Sequence, residues 1–110
     1  MSIKVKKNAS IIGCGAEILM AAIKCEPLFA KLKLDLVITS GAERYEHTAI
    51  RSAHYRGDAL DWRTRHLPED KRPGIVNNIK KRLGPNYVVI WENKGKASEH
   101  IHVHWSPVFS

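Results

Sequence analysis

Two short segments of the chain contain residues of the types that commonly bind metal ions in proteins. The first segment holds His54 and Asp61, and the second holds Glu99, His100 and His102. Two imidazoles and one carboxylate can hold a zinc ion and leave a fourth position for water. An acid three residues before His102 could then take the proton of that water. The residue types and their spacing therefore predict a catalytic zinc site.

The second segment predicts a strand with histidines along one face. Alternate residues of a strand point the same way, so His100, His102 and His104 share a face if this segment is extended. Neighbouring members of the series can both reach one ion, and spacing alone does not choose between them. Strict alternation puts Glu99 on the opposite face, so it can act at the metal only from an irregular start of the strand.

The first segment predicts a strand that enters the core. In that strand Gly57, Ala59 and Asp61 would point the same way. Small side chains before a carboxylate leave room for a metal and a substrate, although they could equally reflect tight packing. A buried carboxylate needs a partner. A zinc ion would supply one, and so would Arg51 or Arg63.

Hydrophobic periodicity and turn residues predict the elements that position these segments. They are a helix over 17–32 that is kinked or divided near Pro27, a buried strand over 34–39, a strand over 57–63, a helix between Leu67-Pro68 and Gly84-Pro85, and two strands over 87–92 and 100–105. The last two strands predict a hairpin, and the polar stretch 41–53 predicts a functional loop. This order favours an α+β fold with a small, mainly antiparallel sheet and two or three helices.

Length and composition predict one soluble domain over residues 1–110. The chain is 44% hydrophobic and 26% charged, and it has no apolar run near the ~20 residues that cross a bilayer. Glycines and Glu17 interrupt the first apolar stretch, so we expect no export signal and synthesis in the cytoplasm. We also expect a monomer.

The formal net charge is +7, which attracts polyanions of any kind. The basic residues are scattered, and no aromatic ladder of the kind used by single-strand binders lies among them. We therefore expect no nucleic-acid partner.

Taken together, the motifs resemble the zinc D-alanyl-D-alanine metallopeptidases of the lysostaphin and hedgehog-like superfamily. The arrangement Ser-x-His-x-x-Gly-x-Ala-x-Asp is present as Ser52, His54, Gly57, Ala59 and Asp61, and an acid stands three residues before His102. The chain looks most like the small phage-type members, and the likeness extends over most of its length, through Leu36–Gly41, Trp62–Arg65, Leu67-Pro68, Arg82–Gly84 and Glu99–Val103.

This resemblance implies one zinc ion bound by His54, Asp61 and His102, with Glu99 as general base. It also implies hydrolysis of peptide bonds in the stem peptides of bacterial peptidoglycan, of the D-Ala-D-Ala carboxypeptidase or the L-Ala-D-Glu endopeptidase type. A phage-encoded, endolysin-like protein would reach the cell wall through a membrane lesion or on a virion.

Two positions depart from the pattern of the family. Position 99 is often Asp in phage enzymes of this type, and Glu99 offers the same chemistry with a longer reach. Related sequences often have Glu at position 104, where this chain has His104. His104 could therefore compete as a ligand, tune the site from nearby or do nothing, and His100 is a further candidate beside it.

Four residues are candidates for substrate binding. Such enzymes place an arginine just after the Thr-Ser-Gly strand end, and Arg44 and Arg51 are the candidates here. Either could hold a substrate carboxylate by a bidentate pair. Ser52 or His47 could form hydrogen bonds nearby.

Two other classes of function remain open at this point. One is a zinc-binding, hedgehog-like domain without catalysis. The presence of Glu99, a candidate general base, argues against it. The other is a basic nucleic-acid-binding protein, which the net charge of +7 and the histidines would suggest.

Overall fold

The computed structural model describes residues 2–42, 53, 54 and 56–108. Its elements are β1 Ile3–Val5, α1 Ala16–Ala30, β2 Leu36–Ser40, β3 Ala59–Arg63, a 3-10 turn Glu69–Lys71, α2 Arg72–Leu83, β4 Tyr87–Glu92 and β5 His100–Trp105. Two helices and a five-stranded, mostly antiparallel sheet confirm the predicted α+β class. No helix among these residues is both long and apolar enough to span a bilayer.

The sheet has the strand order β1-β2-β3-β5-β4. β1 runs parallel to β2, and every other neighbouring pair is antiparallel. The hairpin of β4 and β5 has the predicted bounds. β1 was not predicted, because it is only three residues long and its pattern is too short to distinguish a strand from an irregular segment.

The two faces of the sheet have different environments. Leu60 and Trp62 of β3, with Ile101 and Val103 of β5, belong to one buried cluster that includes the apolar faces of α1 and α2. Because side chains alternate along a strand, Asp61 and the histidines of β5 lie on the face away from that core. We call this second face the open face.

Helix α1 is not divided at Pro27, which was one of the two outcomes that the sequence allowed there. The helix is continuous from Ala16 to Ala30 and includes Pro27. Proline removes one backbone donor and weakens a helix. Leu28 and Phe29 follow it and are buried against the core, with Phe29 fully inaccessible to solvent. Their packing outweighs the local penalty.

Helix α2 ends where the sequence predicts. Gly84 caps it with a φ of 77°, a left-handed conformation that glycine adopts without strain. Lys80, Lys81 and Arg82 occupy the last turn, where positive charge interacts favourably with the helix dipole. The helix starts at Arg72, after the 3-10 turn, and not directly at Leu67-Pro68.

Gly57 lies in the turn before β3 and not in the strand itself. Its φ is 75°, and its amide donates to the carbonyl of His54 at 3.0 Å. A Cβ at this position would collide with the carbonyl oxygen of Gly13. Of the two readings of this glycine, the structure therefore supports close backbone packing.

Replacing Gly57 by Ala should destabilise the fold by at least about 2 kcal/mol, because it adds both left-handed strain and this collision. Gly74 in α2 is the matched control, since a Cβ there meets nothing within 4 Å. Gly74→Ala should stabilise the protein by up to about 1 kcal/mol. Urea denaturation measures both changes, and an equal response of the two variants would contradict this account of Gly57.

Candidate metal centre

His54 is held by a backbone contact that fixes the orientation of its ring. Nδ1 lies 2.8 Å from the carbonyl oxygen of Gly41. A carbonyl oxygen can only accept, so Nδ1 carries the proton and Nε2 presents its lone pair. Nε2 lies 3.3 Å from Oδ1 of Asp61, and the residue is buried. The turn before β3 thus delivers a preoriented imidazole to the open face.

Asp61 and His102 are brought together by strand pairing. They lie directly opposite each other in the antiparallel pair of β3 and β5. Nδ1 of His102 is 3.0 Å from Oδ1 of Asp61. The sequence allowed a zinc ion, Arg51 or Arg63 as the partner of this carboxylate. Among the described residues, His54 and His102 lie closest to it, and Arg51 is not one of those residues.

One donor atom from each of His54, Asp61 and His102 lies within 4.8 Å of the others, so this group could hold a metal ion. Nitrogen and oxygen ligands at ~2.1 Å from a tetrahedral zinc would be about 3.4 Å apart. The measured separations of 3.3 Å and 3.0 Å around Asp61 Oδ1 are close to that value. The donor set could therefore hold a metal ion, and its residue types and these two separations are compatible with zinc.

The electrostatics of Asp61 favour a bound cation. Burial raises the pKa of its carboxyl group, but the adjacent imidazoles of His102 and His54 outweigh that effect and hold the pKa well below its usual value. Asp61 is consequently a carboxylate across the neutral range. Its negative charge faces two imidazoles, whose lone pairs a metal ion could also use.

His104 contacts the outer nitrogen of His102. Nε2 of His102 lies 2.8 Å from Nδ1 of His104. When Nδ1 of His102 is a metal ligand, Nε2 carries the proton and donates it to His104. Burial, followed by the nearby charge of His102, lowers the pKa of His104, so its ring is neutral and able to accept. Of the three roles open to His104, this geometry supports tuning from nearby.

His100 lies beside the three donors and not among them. Its Nε2 is 3.7 Å from Oδ2 of Asp61 and 3.3 Å from Oε1 of Glu92. Its Nδ1 lies 2.8 Å from the carbonyl oxygen of Ser98. His100 therefore bridges the carboxylate of β3 to a carboxylate of β4.

Glu92 is a site residue that the sequence analysis missed. It pairs with His100 across the hairpin, and its Oε1 lies 4.0 Å from Nδ1 of His102. The sequence could have identified it, because the predicted hairpin, with strands over 87–92 and 100–105, places residue 92 opposite residue 100. Glu92 is the acid of β4 on the open face.

Glu99 lies at the start of β5 and makes its hydrogen bonds away from the three donors. Its carboxylate accepts from Arg72 at 3.0 Å, from the Trp91 indole at 2.7 Å and from the Gly95 amide at 3.3 Å. Burial raises the pKa of Glu99, but these donors outweigh it and lower the pKa overall. The contacts fix the β4–β5 connection to α2. The role of Glu99 as general base stays a prediction.

The four candidates for substrate binding, Arg44, His47, Arg51 and Ser52, lie outside the described residues. Their assignments remain predictions. His54 and Asp61, from the same motif, are within the described part and occupy the centre.

No protein-family model, curated protein or solved structure matches the chain. The likeness to the metallopeptidases consequently rests on the motifs and not on an alignment. The geometry above stands independently of that likeness.

Zinc binding should stabilise the fold through His54, Asp61 and His102. Free zinc at about 100 times its Kd should add roughly 2.7 kcal/mol to the free energy of unfolding. Alanine at any of the three ligands should remove that gain. Thermal unfolding with zinc and with a chelator measures it, and an unchanged difference in all three variants would refute the ligand set.

Two neighbouring histidines serve as graded controls. His104→Ala should weaken zinc affinity by about 10–100-fold without abolishing it, since it removes only the group that orients His102. His100→Ala should leave the affinity nearly unchanged. If His100→Ala abolishes binding and His102→Ala does not, the two histidines have been assigned in the wrong order.

Proposed function

We propose that the protein is a zinc-dependent peptidase that hydrolyses the stem peptides of bacterial peptidoglycan. The observation that carries the proposal is the convergence of His54, Asp61 and His102 on one accessible face of the sheet. Within the part of the chain that the structure describes, this group has three donors, and three protein ligands are typical of catalytic zinc sites. The motif spacing supplies the substrate class.

Zinc at this centre would supply Lewis acidity, lowering the pKa of water toward ~7 and polarising the scissile carbonyl. The residues of the chain would hold the ion and orient its ligands. His54, Asp61 and His102 would hold the ion. His104 keeps the ring of His102 in position.

Proton transfer requires a carboxylate that can reach the reacting atoms. Glu92 lies on the open face, 4.0 Å from Nδ1 of His102, and contacts His100. Glu99 is engaged by Arg72, by Trp91 and by a backbone amide, which it would have to release. We therefore propose that Glu92 is the general base and that Glu99 secures the scaffold.

The engagement of Glu99 also favours a second candidate function, a metal-binding domain without catalysis. If Glu99 alone could act as base, its buried pair with Arg72 would leave the centre inert. Zinc-loaded protein with no turnover on any peptidoglycan peptide would support this second function.

Glutamine substitutions separate the two acids. Glu92→Gln should keep zinc and stability but lower hydrolysis by about 10²–10⁴-fold, the usual contribution of a general base. Glu99→Gln should keep hydrolysis per folded, zinc-loaded molecule. It should destabilise the fold by roughly 3 kcal/mol, because it breaks a buried pair with Arg72.

Turnover on stem peptide, zinc content and urea denaturation are measured on both variants. The opposite pattern, with activity lost in Glu99→Gln and kept in Glu92→Gln, would return the base role to Glu99. That result would leave the proposed reaction intact.

The reaction itself is tested on purified peptidoglycan. Zinc-loaded protein should release fragments whose new amino and carboxyl termini, identified by mass spectrometry, define the bond that is cut. Asp61→Ala is the control that lacks a metal ligand. Absence of new termini from fully zinc-loaded protein would contradict the proposed function.

A further inference from the structure

A polar cavity lies beside the metal centre on the open face. Its volume is about 270 Å³, and three cationic side chains line it, those of Lys6, Arg63 and Arg65. Thr39 and His100 complete the wall toward the centre. The cavity draws its charges from the residue after β1, from β3 and from the segment after β3, so it exists only in the folded sheet.

The cavity adjoins the three metal donors through strand geometry. Arg63 follows Asp61 by two residues on β3, so both side chains point to the open face with alpha carbons ~7 Å apart. Arg63 also pairs directly with His100, whose Nε2 lies 3.7 Å from Asp61. A ligand in the cavity would consequently lie next to any bond held at the metal.

The cationic side chains of the cavity have no compensating carboxylate among the described residues. Within the described ranges, no carboxylate lies within ion-pair distance of Lys6, Arg63 or Arg65. Glu99 also borders the cavity, but Arg72 already compensates its charge at 3.0 Å. The cavity therefore keeps a positive potential.

We infer that this cavity is a binding site for a carboxylate of the peptide substrate. Paired guanidinium groups recognise carboxylates through bidentate hydrogen bonds, and Lys6 adds a point charge. The inference rests on the proposed peptidase function and assigns the site that positions the peptide. The carboxylate could be the C-terminus of the peptide or the side chain of an acidic residue.

The experiment measures binding to the metal-free protein, so that it does not depend on hydrolysis. The probe is the peptide L-Ala-D-Glu-L-Lys-D-Ala, compared with its C-terminal amide and with the analogue that has D-Gln in place of D-Glu. NMR titration gives the Kd and reports whether the amides of Ser98 and His100, at the rim of the cavity, shift. One amidated analogue should bind more weakly by about tenfold or more, and which one it is identifies the source of the carboxylate.

Arg63→Ala should weaken binding of the free acid by about 10–100-fold, the cost of losing hydrogen bonds to a charged group. Arg63→Lys keeps the positive charge but loses the bidentate geometry of the guanidinium. Its affinity for the free acid should therefore lie between those of the unmodified protein and Arg63→Ala. Lys80→Ala, which removes an exposed cation from α2, should change the affinity little. Thermal unfolding verifies that each variant is folded.

Three outcomes would overturn the inference. These are equal affinity for all three peptides, no effect of Arg63→Ala in a folded protein, or an equal effect of Lys80→Ala. Failure of the peptidase proposal looks different, because the metal-free protein would still bind the acid through Arg63 while the zinc-loaded protein cleaved nothing.

Discussion

The register between β3 and β5 is the constraint on which the metal centre depends. It sets Asp61 opposite His102 and Arg63 opposite His100. A slip of one residue would turn the histidines toward the helices and bring Ile101 to the open face. Burial of Leu60, Trp62, Ile101 and Val103 on the other face opposes that slip. Hydrophobic packing thus fixes the geometry of a polar site that it does not touch.

Much of this arrangement could be predicted because its signals are local. The alternation of His100, His102 and His104 gave the correct face, and the bounds of β4 and β5 followed from short apolar runs. The helix is not divided at Pro27, because the cost of the proline is local while the packing that outweighs it comes from distant residues. β1 was missed because a three-residue strand is defined by its partner β2 and not by its own pattern.

The spacing of Glu99 and His102 illustrates what a motif leaves undetermined. Residues three apart share a face on a helix but point to opposite faces of a strand. Glu99, immediately before β5, therefore points toward Arg72, a partner that no periodicity could identify. Glu92 was overlooked, and Arg63 was considered only as a partner of Asp61, for a related reason, since their position beside His100 follows from pairing across strands and not from a motif.

The strand order has a consequence for how the centre forms. β3 and β5 are neighbours in the sheet, although α2 and β4 lie between them in the chain. Closing that long connection costs more conformational entropy than closing the short turn of the β4–β5 hairpin. We therefore expect the hairpin and the helices to form before β3 docks. His54 and Asp61 meet His102 only in that late step. A metal ion would then bind only after the sheet has formed. It would slow unfolding and leave the rate of folding almost unchanged.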